Sequence, residues 1–159
     1  METLLEEDSV HRVFWIPDTQ FGYTVESLHA VFDRYGVEGR KLFVFIEILD
    51  SLIVVPGYIL AFGSAIEYYN GSHASNFTKL SEKLPIVLFF VDHLENTMHI
   101  YCSSTFDRTT MSEQWGTAAV FASTVTKTKW LLLGSCLISI VVLKLHKHIA
   151  GDFSVKKNN

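Results

Sequence analysis

A chain of 159 residues has room for one domain, and here 48% hydrophobic residues, 19% charge and a mean hydropathy of +0.24 are apolar for a soluble protein. The apolar residues must therefore be gathered into blocks. A formal net charge of −4 supplies no basic field, and no Lys/Arg stripe interleaved with aromatics occurs in the polar segments, which argues against nucleic acid as a partner.

The chain opens on METLLEEDSV, an acidic stretch without the basic start of a signal peptide or the Arg/Ser-rich character of a transit peptide. Any insertion signal is then expected to be an internal span. Residues 1–41 hold no apolar run of the ~20 residues needed to cross a bilayer, so they are expected outside or on the membrane. Within them Thr24 caps a short helix whose apolar face is Val25, Leu28, His29, Val31, Phe32 and Tyr35, and Gly36 ends it. That face suits packing on the membrane surface or on the other helices.

A first span is predicted from Leu42 to about Ile66, anchored by Arg40 and Lys41. Pro56 removes an amide hydrogen bond in its middle and should kink it, while Glu47 and Asp50 lie one turn apart on one face. Tyr68 and Tyr69 read as an interfacial aromatic belt before a polar loop. The tripeptides Asn70-Gly71-Ser72 and Asn76-Phe77-Thr78 are glycosylation sequons if that loop is luminal.

The second span is expected to start at Leu84 and Pro85 and to run to about Ser104. Its second half is polar: Asp92, Glu95, Asn96 and His99 fall at helical spacing on one face that cannot point at lipid. From Thr117 to Leu145 the chain is apolar again, and as one helix this stretch exceeds a hydrocarbon core of about 30 Å. Three arrangements fit: a first half standing outside the bilayer with Lys127 and Lys129 at its boundary, a buried Lys pair, or a break near Thr126 that makes a short extra span. The positive-inside rule does not orient three spans, because Arg12, Arg34, Arg40, Lys41 and Arg108 on one side face Lys79, Lys83, Lys144, Lys147, Lys156 and Lys157 on the other.

Ionised groups at mid-bilayer cost at least about 2.5 to 3.5 kcal/mol each, so Glu47, Asp50, Asp92 and Glu95 need protons or partners. Lys127, Lys129, His93 and His99 are on offer. The economical arrangement sets Asp92 and Glu95 against Lys127, with Asn96 bonded to a neighbouring helix. Such a cluster serves as a polar lock fixing helix register or, as the alternative, as a path for protons or a small polar solute. Metal binding has little to stand on: Glu95 and His99 are one turn apart without a second such pair, and His146 and His148 lie in the tail. Cys102 and Cys136 lack metal or redox spacing and read as small hydrophobes. No GxSxG, P-loop or HExxH motif occurs, so neither enzyme activity nor a cofactor is expected.

The elements Tyr23-Thr24, Gly36-Val37-Glu38-Gly39-Arg40, Asp50, Pro56 with Tyr58, Pro85, Asp92-His93-Leu94-Glu95-Asn96 and Lys129-Trp130 resemble a family of small multi-pass membrane proteins without an assigned activity. That family is marked by GxxGR, DxxEN and Lys-Trp patterns. The likeness covers about residues 20–145 and implies an α-helical bundle and no particular chemistry; the chain departs from it in lacking a clear span ahead of Gly36. The expectation is thus an all-α polytopic membrane bundle of three or four spans. It consists of an extramembrane segment 1–41, a bundle 42–147 and a polar tail 148–159, with an intramembrane network of Glu47, Asp50, Asp92, Glu95, Asn96, His99 and Lys127. The expected role is a non-catalytic subunit among other membrane subunits in the bilayer, with an energy-transducing assembly of the mitochondrial inner membrane ahead of the secretory route.

Overall fold

The computed structural model describes residues 16–70 and 76–157, and every regular element among them is helical. The acidic start, Arg12, the loop half of the Asn70 sequon and the last two residues of the tail lie outside the described residues. A 3-10 turn at Pro17–Thr19 precedes helix α1 (Val25–Leu49), a π-helical turn (Asp50–Val54), α2 (Val55–Asn70), α3 (Asn76–Ser104) and α4 (Glu113–Lys157).

Thr24 caps α1 in a reciprocal box: its Oγ1 accepts from the Ser27 N–H at 3.2 Å, and its own N–H donates to Ser27 Oγ at 3.0 Å. Gly36 takes φ +63° and ψ −172°, a conformation open almost solely to glycine, and breaks α1 there. The break folds the first half of the helix onto the second, so Phe32 meets Phe43 with ring centroids 5.5 Å apart. Around them Leu28, Val31, Cys102, Trp115 and Ala119 form an apolar cluster, and Trp115 Nε1 donates to the Cys102 carbonyl at 2.9 Å. The amphipathic stretch of residues 25–35 therefore packs on α3 and α4. Helix resumes directly after Gly36, ahead of the apolar boundary at Leu42, because backbone bonds rather than hydropathy set where a helix begins.

Pro56 acts differently from a simple kink. Lacking an N–H itself, it follows a wide turn in which Val55 N–H reaches back to the Asp50 carbonyl, five residues away. For the same reason as α1, α3 starts earlier than its apolar block, and Pro85 lies inside the helix rather than in its first turn. The α4 helix runs through Thr126 without a break and continues to Lys157, so residues 148–157 of the polar tail are helical. Its 45 residues reach roughly 67 Å at 1.5 Å each. At the far end Lys147 Nζ donates to the Tyr68 carbonyl at 2.9 Å and sits 4.0 Å from that ring's centroid, tying α4 to the end of α2.

Two stretches, Val25–Asn70 and Glu113–Ile149, are long and apolar enough to cross a membrane. Only 17% and 22% of their most apolar windows are buried, unlike the core helices of a soluble domain. The polarity of the fold is inverted. Leu52 and Leu60 are 69% and 70% exposed, with Phe90, Leu131 and Ile138 also outside, whereas Glu95 and His99 are fully buried and Glu47, Asp92 and Lys129 nearly so.

Between α3 and α4 the Asp107 carboxylate accepts from the Thr109 N–H and hydroxyl and from the Thr110 hydroxyl, each at 2.8 Å. These bonds, the Thr109 N–H first, pull its carboxyl down to about 2. Its contribution to stability is complete above the ordinary carboxyl range and disappears as pH falls through about 2; the Thr109 amide proton shift is expected to titrate with that midpoint. Replacing Gly36 by Ala forces a side chain into its left-handed conformation at a cost of about 1 to 3 kcal/mol. A lowered thermal unfolding midpoint of the detergent-solubilised protein is the expected readout.

Candidate functional site

The inward faces of α1, α3 and α4 meet in a polar interior. Spacing places Asp92, Glu95, Asn96 and His99 on one side of α3, and all four are buried. His99 stands between two groups: Nδ1 lies 3.3 Å from Glu47 Oε1, and Nε2 is 2.8 Å from the Tyr23 hydroxyl. Asn96 Nδ2 donates to Asp50 Oδ2 at 2.7 Å and to Ser51 Oγ at 3.0 Å, two residues that the π-helical turn brings to face it. Tyr58 on α2 donates its hydroxyl to Asp92 Oδ2.

Lys129 closes the cluster from α4. Its ammonium is 2.5 Å from Glu95 Oε2 and also donates to Asp18 Oδ1 in the segment preceding α1. Trp130 Nε1 donates to the Asp18 carbonyl at 3.3 Å, and Ser123 Oγ bonds both the N–H and the carbonyl of Tyr23, at 2.9 and 2.7 Å. Residues 17–23 are thereby fastened over the polar interior, with Pro17 fully buried.

Six of the expected site residues, Glu47, Asp50, Asp92, Glu95, Asn96 and His99, come together. Lys127 does not. Its side chain is exposed and runs over Gly22, while Lys129 carries the pairing. The reason is angular: Ala119, Ala122, Ser123 and Thr126 are among the buried positions of α4, and three more residues from Thr126 lead to Lys129 on the same face. His93 is also outside the cluster, with Nδ1 2.9 Å from the Phe89 carbonyl and its ring on Phe89.

Asp18, Tyr23, Ser51 and Tyr58 complete the network and are missing from the sequence-derived set. Tyr58 had a signal, lying two turns beyond Asp50 on the same helical segment. Tyr23 belongs to the Tyr23-Thr24 element of the family likeness, whereas Asp18 had no signal, because its segment reaches the interior through tertiary folding alone. Asp92 Oδ1, Glu95 Oε1 and Asn96 Oδ1 are buried without a hydrogen-bond partner among the described residues. No group of three or more His, Cys, Asp and Glu among those residues is arranged to hold a metal ion. Comparison of the chain with protein-family models, with curated proteins and with solved structures gives no match.

The two lysines give a sharp contrast. Lys129→Ala leaves Glu95 and Asp18 without their cation and is expected to destabilise the fold by about 3 to 5 kcal/mol, whereas Lys127→Ala should stay within about 0.5 kcal/mol of the parent. Chemical unfolding in a fixed detergent measures both. Equal losses for the two variants would contradict the assignment.

Proposed function

We propose that this chain is an integral membrane protein of three spans, held together by an internal polar lock, that serves as a non-catalytic subunit of a larger membrane assembly. The observation that carries it is the inverted polarity. Ionisable groups are gathered inside and paired between elements, while large aliphatic and aromatic side chains face outward along α1, α2, α3 and α4. Water would penalise such a surface, whereas lipid accepts it. The α3 helix fits as the third span because its polar stripe is inward and Ile86, Val87, Phe90 and Leu94 are outward.

The lock reading draws on the way each pair joins different parts of the chain. Tyr58 with Asp92 joins α2 to α3, Asn96 with Asp50 joins α3 to the π-helical turn, and Lys129 with Glu95 joins α4 to α3. Unsatisfied alternatives inside a bilayer are expensive, so such pairs select one register. An organellar energy-transducing complex is the assembly we favour, and the GxxGR, DxxEN and Lys-Trp likeness is compatible with a bundle of this kind.

A second reading, a small proton-coupled transporter or channel, is favoured by one feature. Asp18, Glu47, Asp50, Asp92 and Glu95 surround one lysine and one histidine, an excess of acids that is tolerable in an apolar setting only when protons or further cations join them. Asp92→Asn with Glu95→Gln separates the two. A lock is expected to lose thermal stability and drop out of high-mass fractions in a native separation of solubilised membranes; a relay keeps its fold and loses proton flux in reconstituted vesicles. Migration of the parent chain as a bare monomer would count against the subunit reading.

A further inference from the structure

At the end of the bundle where α1 becomes apolar, a recess of about 310 Å³ opens between α1 and the last turn of α3, lined by Val37, Arg40, Lys41, Val44, Ser103 and Ser104. Its size lies at the lower end of small-ligand sites. Arg40 is held in place there: Nη1 donates to the Phe32 carbonyl at 3.0 Å, its guanidinium lies 4.6 Å from the Phe106 ring centroid, and Ser103 Oγ donates to the Arg40 carbonyl at 3.4 Å. One of the five guanidinium N–H donors is used by Phe32, which leaves others in a fixed fork of the kind that grips a phosphate.

Lys41 adds a mobile second charge. Its partner Glu38 is 2.8 Å away, but both side chains are exposed, and such a surface pair holds its lysine weakly enough for a stronger anion to take it. Ser104 is exposed at the rim and supplies a hydroxyl. Against these donors stand the Glu38 carboxylate and the partial negative charge of the α3 C-terminus, so two full positive charges meet one full negative charge.

We infer that this recess binds an anionic phosphate group presented by a membrane lipid. The inference rests on the integral-membrane reading above. It is supported by depth: Leu42 follows Lys41 directly, and Leu42, Phe45, Ile46 and Leu49 are all exposed below the recess. A phosphate at Arg40 and Lys41 then sits at the headgroup level, with Val44 and this apolar face beneath it for acyl chains.

The test uses the full chain in mild detergent, with native mass spectrometry following adducts of phosphatidylglycerol and of phosphatidylcholine. The expected result is preferential retention of phosphatidylglycerol, weakened roughly tenfold in Arg40→Gln and in the double variant Lys41→Gln with Ser104→Ala. The double variant alters only exposed side chains and keeps the test valid if Arg40→Gln unfolds. Undiminished retention in the double variant and in any folded Arg40→Gln, or equal retention of both lipids, overturns the site. Displacement of the lipid by millimolar inorganic phosphate overturns the lipid as its source in favour of a soluble phosphate. Alkaline carbonate treatment of native membranes separates this from the underlying reading: release of the chain overturns the integral-membrane reading and the lipid source together, whereas a retained chain without lipid preference overturns the site alone.

Discussion

The organisation of this bundle depends on the cost of burying charge. Lys129 is nearly inaccessible on a helix whose outer face is aliphatic, and a bare ammonium there would be untenable. Glu95 from α3 and Asp18 from the chain ahead of α1 supply the counter-charge. That requirement fixes the register of α3 against α4, since sliding either helix by one turn separates the pair by about 5.4 Å. It also explains why a short, irregular stretch of chain is drawn across the bundle, where Pro17 is buried and Tyr23 reaches His99.

Two backbone irregularities bring the remaining acids to the same level. Gly36 turns the first half of α1 back against α3 and α4, which starts its second half at a place where Glu47 meets His99. The π-helical turn then adds a residue to the helical repeat just before Pro56, rotating Asp50 and Ser51 toward Asn96. An unbroken α-helix through this stretch would hold the same side chains at different angles, since each residue advances about 100 degrees. Wide turns of this type recur at functional sites in helical proteins, and here the wide turn presents Asp50 and Ser51 to Asn96.

Much of this was legible from residue spacing. The stripe from Asp92 to His99 is a property of one continuous helix, and periodicity alone places it inward. Thr24 as a cap and Gly36 as a stop are local backbone chemistry, readable without the rest of the fold. The helix ends were harder, because apolar content marks the length that suits lipid, while α3 and α4 continue through polar residues as long as their backbone bonds are satisfied. The choice between Lys127 and Lys129 turned on which face of α4 is inside. Small residues at Ala119, Ala122, Ser123 and Thr126 carried that information. Asp18 and Tyr23 could not be found this way, since their place depends on contacts to residues roughly a hundred positions away.

The interior is not uniform, and that bears on what it can do. At the Lys129 side, Glu95 and Asp18 share one cation, which ties α4 both to α3 and to the segment ahead of α1. Toward α2 the acids Asp50 and Asp92 meet only neutral donors, Asn96, Ser51 and Tyr58, and Asp92 Oδ1 is left without a partner. A neutral donor satisfies a carboxylate's geometry but not its charge. The two halves thus join the helices by different chemistry, a shared cation between α3 and α4 and neutral donors on the face that the π-helical turn presents to α3.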